Sequence, residues 1–260
     1  MGSAAFAVFV ATRAEMKPIV AILPPTRQSA YRSNAVVRVG VKDRDLLLAQ
    51  TGVGPDRANA AACRLFEEAP IAAALSLGIA GGLSPHVQTG DLIVGDQVIL
   101  RSSGQVWHEE NGSKPKNFAC DSDLQETATT ILRRWNDRHS HGSILTVDSI
   151  VSTSEEKRRL AAESGAMAVD MESAAIAAAA SARSIPFLAV RGVLDTIDED
   201  LGIGFDQFLD ERGEPRPLPL TRYLMAHPFT IPHLIGLGAR TKAICARLGL
   251  LLQELSTALS

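Results

Sequence analysis

Six short apolar runs punctuate the chain up to residue 193, and their spacing predicts alternating strands and helices. They are "AAFAVFVAT" (4–12), "IAAALSL" (71–77), "DLIVGDQVIL" (91–100), "GSILTV" (142–147), "AMAVD" (166–170) and "PFLAVRGV" (186–193). Runs that are apolar at nearly every position, rather than at alternate ones, read as strands buried on both faces. Helix-like stretches lie between most of them, at 55–68, 121–138, 154–164 and 172–183. Pro55 suits the first turn of its helix, and Gly165 suits the stop after "SEEKRRLAAES". "AVVRVGV" and "DLLLAQTG", on either side of "KDRD", predict a hairpin. The pattern is that of an α/β chain with a central, largely buried sheet covered by helices.

Past residue 197 the pattern breaks. Residues 198–234 are rich in Gly, Pro and charge and read as a long ordered loop or a set of short turns. A final helix is expected at about 235–257. A loop of that length inside a compact unit is more often functional than idle. With no internal repeat and no low-complexity linker, residues 1–260 read as one domain.

Composition narrows the function classes. Apolar residues make up 46% and charged residues 21%, enough for a sizeable core. A formal charge of −3 without any Lys/Arg run argues against nucleic acid or an anionic membrane as partner, and favours a small molecule or a second copy of the chain. Cys63, Cys120 and Cys245 form no C-x-x-C pair, which fits a reducing cytoplasm better than a disulfide framework or a zinc site. "MGSAAFAVFVATRAEMK" has no basic stretch ahead of its apolar run, so an opening strand is expected rather than a signal peptide. No apolar stretch reaches the ~18 residues of a membrane span. A soluble, cytoplasmic protein is expected.

Ligands of open α/β sheets gather beyond the carboxyl ends of strands. Three acids stand there: Glu15 after the first run, Glu172 after "AMAVDM", and Asp195 after "PFLAVRGVL". Each alone is more often a helix cap or a first-turn acid. All three at the same kind of position suggest a shared crevice. Asp170, beside Glu172, is best read as a structural hydrogen-bonding group. "SLGIAGGLSP" (76–85) and "TGVGPDRAN" (51–59) carry close glycines but match neither G-x-G-x-x-G nor a P-loop, and tight turns are the default for both. His139 and His141 have strand-like spacing beside an expected turn, without an acidic or cysteine partner, so no metal is expected. Trp107 and His108 fall in a polar loop (101–119) that either borders a pocket or is plain surface.

The blocks "ATRAEM" (11–16), "SLGIAGGL" (76–83), "TGDLIVGD" (89–96), "TVDSIVST" (146–153), "AVDMESAAIA" (168–177) and "AVRGVLD" (189–195), in this order, resemble the nucleoside phosphorylase superfamily. The resemblance is to its 5′-methylthioadenosine/S-adenosylhomocysteine nucleosidase-like branch. The words "FLDERGEPRPLPLTRYLMAHPFTIPHLIGLGARTK" and "VDSIV…EK…L…GAMAVDMES" are similar to hopanoid-associated members that act on adenosylhopane. The resemblance implies a single α/β domain whose mixed sheet is partly barrel-like and flanked by helices. It implies cleavage of the N-glycosidic bond of an adenosine-type nucleoside, without cofactor or metal.

Residue by residue, the resemblance implies that Asp195 delivers a proton to purine N7 and Glu15 deprotonates the attacking water. It places Glu172 and Met171 under the ribose, Ala80 and Gly81 beside the purine, and Val151 at the base edge. Ile150 stands where many members stack a phenylalanine on the base. It also implies a homo-oligomer, commonly a dimer, and a lipid-like substrate reached at a membrane surface. Phosphorylase relatives bring an arginine and a serine to phosphate near 76–79; Ser76 and Ile79 stand here, so water is the expected nucleophile. Arg13 or Arg191 could serve a phosphate instead. The alternatives are a methylthioadenosine/adenosylhomocysteine nucleosidase, a phosphate-using phosphorylase, and a non-catalytic nucleoside-binding or storage relative.

Overall fold

A computed structural model describes residues 4–24, 28–31, 33–101, 116–202, 210, 216 and 227–259. Strand β1 (Ala5–Val10) is buried at all six positions. It lies between β4 (Arg44–Gln50) and β5 (Ile71–Gly82), parallel to both, which is why its sequence does not alternate. On the far side of β4 the sheet continues antiparallel through β3 (Ser33–Val41) and β2 (Gln28–Tyr31). The expected hairpin is β3–β4, turned at Lys42 and Asp43, with Lys42 at φ 51°.

On the other side of β5 the sheet curls into a ring. β10 (Phe187–Asp195) pairs parallel with β5 and antiparallel with β6 (Leu92–Leu100). β6 pairs parallel with β8 (His139–Thr146), and β8 with β9 (Ala168–Asp170). β9 then returns antiparallel to Gly81 and Gly82 of β5, closing a five-membered barrel. β7 (Lys116–Ala119) extends β6 outside the ring. The fold is a single α/β domain with a mixed sheet, partly closed as a barrel and flanked by helices.

The helices are α1 (Arg13–Ile22), α2 (Pro55–Glu68), α3 (Ser122–Arg134), α4 (Ser154–Ser164), α5 (Ser173–Ser181) and α6 (Ile231–Ala258). α6 packs on α1, α3 and β10, and α2 packs on α5. Pro55 opens α2 and Gly165, at φ 65°, closes α4, as expected. Neither α6 nor any other helix among the described residues is long and apolar enough to cross a membrane.

Several expectations need correction. The glycines at 78, 81 and 82 make no turn; they extend β5 to Gly82, because β9, β10 and a side chain from α1 crowd the strand there. Helix α1 was not anticipated. α3 stops at Arg134 instead of 138, and Asn136 takes a left-handed φ of 52° before β8 begins at His139. His139 and His141 therefore lie within a strand. Residues 116–119 of the expected 101–119 loop form β7, whereas Trp107 and His108 fall outside the described residues. Most of the expected 198–234 loop also falls outside them, and its last residues, from Ile231, belong to α6.

Candidate active site

Near the carboxyl end of β5 lie Glu15, Asp195 and the segment that leads to Glu172. Gly81 is in register with Asp195 of β10 on one side and with Val169 of β9 on the other. Glu172 follows Val169 by three residues as the N-cap of α5. Glu15 arrives from α1 and accepts the Ile79 N–H through Oε1 at 3.0 Å. All three acids are buried, at 3%, 7% and 4% exposure for Glu15, Glu172 and Asp195. Burial at these levels means that each carboxyl must find protein partners.

Glu15 is placed by local chemistry. Thr12-Arg13-Ala14-Glu15 forms a capping box. Glu15 Oε2 accepts from the N–H and the hydroxyl of Thr12, both at 2.9 Å, and the Glu15 N–H donates to Thr12 Oγ1 at 3.3 Å. The commonplace reading of Glu15 as a first-turn acid is thus geometrically true, yet Oε1 reaches out of the helix to β5. Gly78 makes room for it: a Cβ there would stand 2.6 Å from Glu15 Oε1 and 3.1 Å from Arg191 Nη1.

Arg191, four residues before Asp195 on β10, is the second organising group. Its Nε donates to Asp170 Oδ2 at 2.7 Å and its Nη2 to Ser76 Oγ at 2.8 Å. Asp170 also accepts from Thr146 Oγ1 at 2.6 Å and from the N–H groups of Glu172 and Ser173. It is the structural hydrogen-bonding group the sequence suggests. Arg191 Nη1 is buried and has no hydrogen-bond partner. Burial works against the Arg191 charge, but the facing carboxyls of Asp170, Glu172 and Glu15 outweigh it and hold its pKa above the ordinary value.

Glu172 Oε1 accepts the Gly54 N–H at 3.0 Å. Burial, and then the Asp170 charge, push its pKa up to about 8, with Arg191 and the Gly54 N–H only partly offsetting them. Asp195 Oδ2 is ion-paired with Lys157 of α4, which is wholly buried. Burial nevertheless raises the Asp195 pKa, with the Lys157 bond and charge pulling the other way.

A cavity of about 380 Å³ adjoins the cluster at Gly54 and Met171, and its wall includes Val53, Ile150, Asp148 and Arg57. Of the predicted residues, Ile150 and Met171 line this cavity; the three carboxyls do not, and Glu172 reaches it through Gly54. Val151 and Ala80 are buried, Val151 in a small apolar cluster with Val169 and Leu160. Sequence reasoning missed Lys157, Thr12 and Gly54, and saw Ser76 and Arg191 only in connection with phosphate. Among the described residues no group of three or more His, Cys, Asp or Glu side chains could hold a metal.

A family model described as the phosphorylase superfamily matches residues 5–219. The 5′-methylthioadenosine/S-adenosylhomocysteine nucleosidase of Haemophilus influenzae (strain PittGG) is 26% identical over 206 residues, covering 77% of this chain and 90% of that one. That of Staphylococcus epidermidis is 27% identical over 173 residues, 65% of this chain and 76% of its own. Among solved structures, a futalosine hydrolase mutant of Helicobacter pylori superposes with a TM-score of 0.75 at 17% identity, covering 98% and 99% of the two chains. S-adenosylhomocysteine nucleosidase from Streptococcus pyogenes, in complex with 5-methylthiotubericidin, gives 0.73 at 24% identity, covering 100% and 99%. At such identities the likeness is one of fold.

Proposed function

The chain belongs to the phosphorylase superfamily, and we propose that it is a purine nucleosidase, hydrolysing the N-glycosidic bond of an adenosine-type nucleoside to release adenine. One observation carries the reading: three buried carboxyls gather at one end of the barrel, Glu15 on the Ile79 N–H, Asp195 across from Gly81, and Glu172 three residues beyond the β9 pairing with Gly81, interacting with Arg191 and Glu15.

Glycosidic cleavage makes the sugar cationic and the departing purine anionic unless a proton reaches it. Asp195 supplies that proton at N7; its raised pKa suits a group that must carry one. Glu15 Oε1 and Arg191 Nη1 approach one another above Gly78, and a water between them accepts from Nη1 and yields its proton to Oε1. General acid–base assistance of this kind is worth ~10²–10⁴-fold. Glu172 accepts from the ribose hydroxyls, with Met171 against the sugar's apolar face. Ala80 and Gly81 flank the base, Val151 meets its edge, and Ile150 takes the place of an aromatic stacking residue.

Water is favoured over phosphate by charge. Around Arg191 stand Asp170, Glu15 and Glu172, so the single guanidinium is outnumbered, and two of its three nitrogens are already bound to Asp170 and Ser76. A phosphate there would meet repulsion, whereas a neutral water does not. A catalytic role is also favoured over nucleoside storage, since binding alone needs neither a buried base nor an acid.

For the group at the ribose 5′ position we propose the hopane chain of adenosylhopane, supported by the tail words that resemble hopanoid-associated members. A second reading, methylthioadenosine/adenosylhomocysteine cleavage, is favoured by the activity for which the Haemophilus and Staphylococcus relatives are named. Incubation with adenosylhopane, methylthioadenosine, adenosylhomocysteine and inosine, with and without phosphate, tests all of this. Free adenine with unphosphorylated sugar product supports the nucleosidase; a strict phosphate requirement, or no adenine from any substrate, overturns it. The preferred substrate decides between the two readings of the 5′ group. We further propose that the working protein is a cytoplasmic homodimer, which sedimentation of the purified chain would test.

A further inference from the structure

Among the described residues, Lys157 is the most deeply buried cation that the reaction scheme leaves unused. Its side chain shows no exposure, and Cε passes 3.8 Å from where a Cβ of Gly81 would stand. An ammonium has three donors, and each finds an oxygen: Asp195 Oδ2, Thr196 O at 2.9 Å and Glu199 O at 2.6 Å. α4 and the residues leading into it are tied to the turn after β10 at three more points. Ser154 N–H donates to Asp200 Oδ1 at 2.5 Å, Leu201 N–H to Ser152 O at 2.9 Å, and Arg158 Nη2 to Asp198 Oδ1 at 2.7 Å. A fully satisfied buried ammonium costs much desolvation, and for packing alone an apolar side chain of similar length would serve.

We infer that Lys157 is a positioning residue for the acid: it binds Asp195 through Oδ2, turns Oδ1 toward the purine, and holds a fixed positive charge beside the carboxylate left after proton transfer. This rests on the reading of Asp195 as the N7 acid. The proton moves from Asp195 to N7 as the glycosidic electron pair enters the purine; Lys157 keeps all its own protons throughout. The other charged groups facing Asp195 are Glu199, on the turn after β10, and Arg240 of α6, which lie 3.5 Å apart and largely offset each other. Lys157 is therefore the unbalanced charge at the acid.

The test is the pH profile of kcat for adenine release. Asp195 must be protonated to act, so activity falls on the alkaline side as it ionises, and a neighbouring cation sets that limb at lower pH. In Lys157→Met the limb moves up by about one to three pH units, while kcat at neutral pH drops at least ~10-fold because a weaker acid is misplaced. Lys157→Arg, which keeps the charge, leaves the limb near its wild-type position. A folded Lys157→Met protein with an unmoved limb overturns the inference, since a purely structural lysine would lower activity and melting temperature alone. If that variant does not fold, lysine ¹⁵Nζ spectra of the wild type decide. A slowly exchanging ammonium signal that shifts in Asp195→Asn supports the inference, and absence of any protected ammonium overturns it. Asp195→Asn separates the two levels: if it keeps full activity, the acid reading itself fails; if it is inactive while Lys157→Met keeps its limb, only the role of Lys157 fails.

Discussion

Gly78→Ala is the most economical probe of the site, because it adds one methyl group and no charge. Gly78 is buried in β5 with an ordinary extended backbone, so alanine is conformationally acceptable there. The new Cβ would stand 2.6 Å from Glu15 Oε1, and Oε1 must retreat by about 0.8 Å to reach ordinary contact at 3.4 Å. That motion stretches the 3.0 Å bond from Ile79 N–H, whereas the Thr12 bonds on Oε2 still hold the rest of the carboxylate. A hydrogen bond to a charged group contributes about 1.5–3 kcal/mol, so a measurable fall in melting temperature follows. The larger effect is catalytic: the methyl also sits 3.1 Å from Arg191 Nη1, between the two groups proposed to hold the attacking water. Displacing a reacting group by ~1 Å costs about 10²-fold. The expected outcome is a roughly hundred-fold loss in kcat for adenine release, with nucleoside affinity by calorimetry nearly unchanged. Wild-type kcat in a folded Gly78→Ala protein would refute the placement of the water between Glu15 and Arg191.

Other outcomes follow from the same geometry. Glu15→Gln should retain nucleoside binding but release adenine at least ~100-fold more slowly, measured in single turnover. Thr12→Ala removes the cap of α1 and should cost about 0.5–2 kcal/mol in a denaturant titration, with a smaller kinetic effect than Glu15→Gln. Glu172 gives a pH signature. Its pKa rises from 4.5 unfolded to about 8 folded, so between those values the folded protein keeps a proton the unfolded chain has lost. The stability it lends is complete below about pH 4.5 and gone above about pH 8, a difference of a few kcal/mol at most. Thermal melts of Glu172→Gln should therefore lose the wild type's decline across that interval, and an identical decline would exclude Glu172 as its source.

Buried strands announce themselves because both faces are covered, so β1 and β10 can be read from their apolar runs, and Glu15 and Asp195 at their ends with them. The partners of those acids are another matter. Lys157 lies in "SEEKRRL", which reads as a solvated helix face, and nothing local indicates that its fourth carbon passes beneath β5 to an acid 38 positions away. Helix α1 was within reach: Thr12-x-x-Glu15 is a capping-box signature, hidden because the apolar run before it and Pro18 within it suggest a strand and a break. The β5 glycines misled for a physical reason. Closely spaced glycines mark either a turn or a close approach, and only the positions of β9, β10 and α1 decide between them.

That ambiguity also explains why this end of the sheet holds the site. A barrel closes only if β9 can turn back on β5, and it does so at Gly81 and Gly82, where a Cβ would stand 3.2 Å from Val169 Cγ1 and from Asp195 O respectively. The absence of side chains that permits closure also removes the bulk that would keep acids from three elements apart. Glu15 enters above Gly78, Asp195 lies across from Gly81, and Glu172 follows the strand that pairs there. Closing the ring and assembling the carboxyls thus draw on the same short stretch of β5, from Gly78 to Gly82. Substitutions along this stretch should consequently damage stability and turnover together, whereas changes at the opposite, amino-terminal end of β5 should affect stability alone.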